Sequence, residues 1–162
     1  MRNLFIAIIA IAAVLVGYHQ VRSMDQSNDK EMSALPENAR TAVFAGGCFW
    51  CTESDFEKAD GVIDAISGYT GGKEVNPTYK QVSAGRTGHV EAVKVVYDPE
   101  KITYAELLDV FWRHMDPTDE GGQFVDRGPQ YASAIFYADE DERRQAEASK
   151  KDLAASGRFD KP

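Results

Sequence analysis

Gly46-Gly47-Cys48-Phe49-Trp50-Cys51 decides how the chain is read: two thiols at CxxC spacing, behind a glycine pair, with two bulky aromatics between them. The apolar run Thr41-Ala42-Val43-Phe44-Ala45 leads in, and Thr52-Glu53-Ser54-Asp55-Phe56-Glu57-Lys58 leads out. That is the pattern of a strand, a tight turn and a helix, with Cys48 in the helix's first turn. Unpaired N–H groups and the positive end of the helix dipole favour a thiolate there.

The 162-residue chain has two cysteines in all, both in this tetrapeptide. A disulfide scaffold spreads its cysteines to close long loops, whereas joining Cys48 to Cys51 closes almost none and removes little unfolded-state entropy. The pair therefore makes poor sense as a staple and good sense as redox chemistry. No metal site is expected, because His19, His89 and His114 are single and scattered and no second Cys/His pair stands at ligand spacing. A net charge of -8 with no basic stripe speaks against a nucleic-acid partner. With 43% hydrophobic and 27% charged residues, the composition is that of an ordinary globular protein.

On the N-terminal side, Arg2 precedes a run from Leu4 to Val16 without a polar side chain. It is short for a membrane span and suits the apolar region of a signal peptide. Residues 1–23 are read as a signal peptide or an uncleaved membrane anchor, and residues 24–40, polar and aperiodic, as a flexible linker. Either leader would put the domain outside the cytoplasm, exported to the periplasm or held on the outer face of the cytoplasmic membrane. Residues 41–162 form one domain of roughly 120 residues, enough for a single core.

On the C-terminal side, Val62–Tyr69 alternates as a strand and stops at Gly71-Gly72. A polar, turn-rich passage through Gly88 follows, then a strand over His89–Tyr97 ended by Asp98-Pro99. Thr103 and Glu106 form a capping box and Ile102 with Leu107 a hydrophobic staple. Leu107, Leu108, Phe111, Trp112 and Met115 then mark the core face of a helix. Thr118–Gly128 reads as a loop, Gln130–Tyr137 as a strand, and Asp139–Ser156 as a charged helix closed by Gly157. The order β-α-β-β-α-β-α implies an α+β fold, a mixed sheet with helices packed on it. A further strand is expected after the last helix, so the C-terminal part reads as truncated.

GCFWCTE after a strand, followed in order by GYTGG, NPTY, GHVEAV, VYDP, FWRHMDPT and DRGPQYASAIFY, resembles the peptide methionine sulfoxide reductases of type A. The resemblance runs from about Thr41 to the end of the chain. It implies a two-layer α+β sandwich with a ferredoxin-like core. It also implies reduction of the S epimer of methionine sulfoxide, free or in proteins, with thioredoxin as reductant and no cofactor.

Such a reaction needs a nucleophile for sulfur, a proton for the departing oxygen and a seat for a methyl group. Cys48 is the nucleophile by position, and the resemblance assigns it the same role. Glu91, in a strand among Val90, Ala92 and Val93, becomes a general acid if burial raises its pKa; the alternating strand alone reads it as a solvent-facing glutamate, and the GHVE motif of the resemblance turns it inward. The resemblance makes Phe49 and Trp50 the apolar wall for the substrate methyl, Tyr79 and Tyr131 donors to the sulfoxide oxygen, and Asp126 a contact to the substrate backbone. Consecutive residues at a helix start do not share a face, so Phe49 or Trp50 should point away from the core. Cys51, one turn on from Cys48, is placed to resolve a sulfenic acid on it. The competing reading is a thioredoxin-like thiol–disulfide oxidoreductase, and a further one is a non-catalytic, membrane-tethered binding module.

Overall fold

Central to the fold is an apolar strand, Val90–Tyr97, whose side chains are buried on both faces except at half-buried Val90 and exposed Lys94. A strand buried on both faces must lie inside a sheet, and it does. The computed structural model describes residues 35–161. The elements are β1 (Arg40–Ala45), α1 (Phe49–Phe56), β2 (Val62–Thr70), α2 (Tyr79–Ser83), β3 (Val90–Tyr97), α3 (Tyr104–Arg113), β4 (Gly122–Gln123), β5 (Asp126–Arg127), a 3₁₀ turn (Pro129–Tyr131), β6 (Ala134–Phe136) and α4 (Glu140–Ala155). The expected signal peptide or anchor and most of the expected linker lie outside the described residues. No helix among the described residues is long and apolar enough to cross a membrane.

The main sheet has the order β2-β3-β1-β6, and each of its ladders is antiparallel. This corrects the expected mixed sheet. β1 and β2 do run the same way, as a β-α-β connection requires, but β3 inserts between them and no parallel ladder forms. Two β-α-β units split in this manner are the ferredoxin-like arrangement.

Helices α1 and α3 share one core with this sheet. Phe44 of β1 stacks on Phe56 of α1 at 4.9 Å between ring centroids and meets Phe111 of α3 at 5.2 Å. Leu107, Val93, Val95 and Ala146 complete the same cluster. The α3 start is built as expected. Glu106 N–H donates to Thr103 Oγ1 at 3.2 Å, Thr103 N–H donates to Glu106 Oε2 at 2.8 Å, and Ile102 and Leu107 are both buried in the core. Asp139 caps α4 by accepting from the N–H groups of Asp141 and Glu142.

Three passages differ from expectation. The strand expected over Gln130–Tyr137 is a 3₁₀ turn and then a three-residue strand: Pro129 presets the turn's backbone angle, and β6 pairs β1 only opposite Val43, Phe44 and Ala45. The turn-rich passage before β3 contains α2, begun by a Thr78/Gln81 capping box in which Gln81 Oε1 accepts the Thr78 N–H at 2.8 Å. The loop Thr118–Gly128 contains the small hairpin β4–β5.

Candidate active site

The turn between β1 and α1 needs its glycines. Gly47 has φ of +90°, and a Cβ on it would stand 2.5 Å from Gln123 Cβ. Cys48 follows as the N-cap of α1. Its carbonyl accepts from the N–H groups of Cys51 and Thr52, at 3.1 Å each, and from Thr52 Oγ1 at 3.2 Å. These bonds fix the two cysteines one turn apart. Both are thiols, Cys48 half-buried and Cys51 exposed. Partial burial pushes the Cys51 thiol up, and its hydrogen bond to Cys48 and the charges of Cys48, Asp55 and Asp126 push it the same way.

Glu91 comes from the neighbouring strand β3 and is only 2% exposed. Its Oε2 accepts the N–H of Phe49 at 3.0 Å. Burial pushes its carboxyl up, the Phe49 hydrogen bond opposes this, and the charge of Asp126 adds to the rise. The net direction is up, so the proton is held more firmly than on an ordinary glutamate. The solvent-facing alternative for this residue is excluded.

Phe49 and Trp50 diverge, as consecutive residues at a helix start must. Phe49 is 6% exposed and Trp50 60%. Their rings still meet at 5.2 Å, and Tyr79 of α2 stacks against both, at 6.3 Å from Phe49 and 5.8 Å from Trp50. Tyr131 lies at the end of the 3₁₀ turn. Burial raises its phenol first, followed by the charges of Glu91, Asp126, Tyr79 and Cys48. Asp126, half-buried in β5, acts on Cys51, Glu91 and Tyr131 alike. All eight expected site residues are therefore brought together.

Two contributors were missed. Tyr69 stands directly opposite Glu91 in the β2–β3 ladder and its ring meets Phe49 at 5.6 Å. Its place beside GYTGG was visible, but its register against Glu91 was not. Gln123 is 2% exposed and carries no local signal. Its amide accepts from the Asp116 N–H at 2.8 Å and donates to the Asp116 carbonyl at 2.8 Å and to Ser133 Oγ at 3.0 Å. It is the pad on which Gly47 rests.

His89, beside Glu91 in GHVE, has a different task. Its Nδ1 accepts the Gly72 N–H at 3.4 Å and its Nε2 donates to the Glu74 carbonyl at 2.9 Å, bracing the Gly71-Gly72 turn. A separate apolar groove of about 360 Å³ lies between α3, β6 and α4 and is lined by residues such as Trp112, Ile135, Leu153 and Phe159. None of the eight site residues borders it.

The family model described as "Peptide methionine sulfoxide reductase" matches residues 40–162. The "Peptide methionine sulfoxide reductase MsrA" of Ligilactobacillus salivarius is 60% identical over 122 residues, which cover 75% of this chain and 71% of that protein. Among solved structures, methionine sulfoxide reductase A of Corynebacterium diphtheriae is 36% identical, with a TM-score of 0.66, over 75% of this chain and 61% of that one. Reduced Mxr1 of Saccharomyces cerevisiae is 32% identical, with a TM-score of 0.70, over 75% of this chain and 71% of that one, and Mxr1 has also been solved in complex with Trx2. A thiol at the start of a helix, with a buried acid and a set of aromatic rings gathered around it, is thus found in a chain that belongs to the peptide methionine sulfoxide reductase family.

Proposed function

We propose that the protein reduces methionine sulfoxide, the S epimer, free or within proteins, and so repairs oxidised methionine. The observation that carries the reading is Glu91: an acid buried to 2% exposure and hydrogen-bonded to the peptide nitrogen next to the Cys48 thiol. With Oε2 engaged by Phe49, the other oxygen remains to hold a proton for the substrate. The sulfur of Cys48 attacks the sulfoxide sulfur, Glu91 protonates the oxygen, and the oxygen ends on Cys48 as a sulfenic acid while methionine leaves reduced. Tyr79 and Tyr131 donate to that oxygen as negative charge builds on it. Phe49 and Trp50 seat the methyl group, and Asp126 meets the substrate backbone. The Cys51 thiol then attacks the sulfenic acid, giving a Cys48–Cys51 disulfide and water. A dithiol of the thioredoxin class, the kind of protein with which yeast Mxr1 has been solved, returns both sulfurs to thiols.

Mass spectrometry after one equivalent of methionine sulfoxide tests the scheme. The expected result is one methionine released per chain and a loss of two hydrogens confined to the peptide holding Cys48 and Cys51. C48S abolishes methionine release, whereas C51S supports a single turnover and then stalls. Insulin disulfide reduction without sulfoxide reduction would instead establish the thioredoxin-like alternative.

The apolar run Leu4–Val16 supports action in the cell envelope, either as an exported protein or through a tether. Fractionation of cells expressing the full chain tests this, and recovery wholly in the cytoplasm would refute it.

A further inference from the structure

The two phenols of the site sit on two short elements of the fold. Tyr79 opens α2, a helix of five residues, and Tyr131 closes a 3₁₀ turn of three. Neither element can hold its own shape, because a helix this short has not repaid its nucleation cost. Within α2 only Val82 is buried. Something outside must set one phenol against the other.

Gln130, next to Tyr131, is 7% exposed. Its Nε2 donates to the carbonyl of Ser83, the last residue of α2, at 3.1 Å across 47 positions of sequence. The amide reaches it by folding over Gly128, where a Cβ would stand 2.5 Å from Gln130 Oε1 and where φ is +124°. The same Oε1 is buried and meets no protein donor among the described residues. A half-satisfied buried amide is costly, and an apolar side chain of equal size would fill the space without that cost. What glutamine adds here is the single donated bond to α2.

We propose that Gln130 is a positioning residue for the reaction: through the Ser83 carbonyl it locks α2 to the 3₁₀ turn and thereby aims Tyr79 at the oxygen that Tyr131 also approaches. The inference rests on the reading of the two tyrosines as oxygen-side donors. It assigns Gln130 no contact with substrate.

A double-mutant cycle on the rate of methionine release in a single turnover tests it, because independent sites multiply their effects and coupled ones do not. Y79F alone is expected to lower that rate about a hundredfold, as removal of one donor to a developing oxyanion does. Q130M alone is expected to lower it about tenfold or more, with disulfide formation between Cys48 and Cys51 unchanged. In the Q130M background Y79F then costs less than about tenfold, since the phenol is already out of place. Trp50, whose ring stacks on Tyr79, should shift its emission in Q130M, read in a W112F background where it is the sole tryptophan. Multiplying effects with unchanged Trp50 emission overturn the proposal while leaving the tyrosine roles standing. A silent Y79F overturns the tyrosine reading and the proposal with it. Should Q130M fail to fold, Q130N, which keeps the amide but withdraws it by one methylene, takes its place in the same cycle.

Discussion

Alanine at Gly47 and alanine at Gly46 should behave very differently although the residues are adjacent. At Gly47 the new Cβ would stand 2.5 Å from Gln123 Cβ and 2.8 Å from Gln123 Cγ, with φ at +90°. Those atoms are the root of the Gln123 side chain, and its amide is pinned at three points to Asp116 and Ser133, so it cannot swing aside. Left-handed backbone costs a non-glycine residue about 1–2 kcal/mol, and overpacking a tight site adds about 1–3 kcal/mol. Restricting the unfolded chain returns about 0.4–1 kcal/mol. The net loss for G47A is about 1–4.5 kcal/mol with a centre near 3, a lowering of the melting temperature by roughly 10 °C for a domain of this size. At Gly46 the backbone is ordinary and the nearest atoms, Phe111 Cε2 and Thr52 Oγ1, stand at 3.1 Å, so a shift of a few tenths of an ångström suffices. G46A should cost less than about 1.5 kcal/mol, near the low end for overpacking. Urea denaturation of both variants measures the difference, and single-turnover methionine release shows whether Cys48 has moved with the turn. If G47A is as stable as the native chain, or more stable than G46A, the account of Gln123 as the pad under the nucleophile's turn is refuted.

E91Q should lower the first step by about a hundredfold or more, the scale of a lost general acid. Because the folded chain raises the Glu91 pKa, its proton is held more tightly in the native state. The associated stability is therefore fully present below the unfolded carboxyl's range and lost as pH rises through the raised value. In the native chain, stability and first-step rate should both fall across that window, and in E91Q the corresponding steps should vanish. Urea midpoints and single-turnover rates across pH check this, and an E91Q profile parallel to the native one would refute it. T103A should cost about 1 kcal/mol through loss of the α3 cap. The bonds to Thr103 hold the Glu106 carboxyl below its usual range, so this contribution is present above the unfolded carboxyl's pKa and lost as pH falls. The stability gap between T103A and the native chain should accordingly narrow in acid, as denaturation near neutral and acid pH would reveal.

What was legible in the chain is what local chemistry dictates. The α3 cap, the staple and the Cys48 turn are each written within four or five residues, and each folds as read. The ferredoxin-like core was implied by the family resemblance. The antiparallel sheet did not, because the insertion of β3 between β1 and β2 is a choice made by packing. Gln130–Tyr137 looked like a strand because its apolar residues suit one, yet Pro129 and the short partner at β1 leave room for only three paired residues. The Thr78-x-x-Gln81 signal for α2 was present and went unread. Glu91 was named from its motif, but its burial depends on strands on either side of β3. Gln123 and Gln130 leave no trace in spacing, since each acts on residues far away in sequence.

The bond from the Phe49 amide to the Glu91 carboxylate has one more consequence. Proton source and sulfur are fastened to adjacent links of the same backbone turn, so they behave as one machined part. Glu91 is carried by β3 and Phe49 by α1, so the same bond ties the first turn of the helix to the sheet. Separating the acid from the thiol therefore requires breaking that bond or displacing the whole turn.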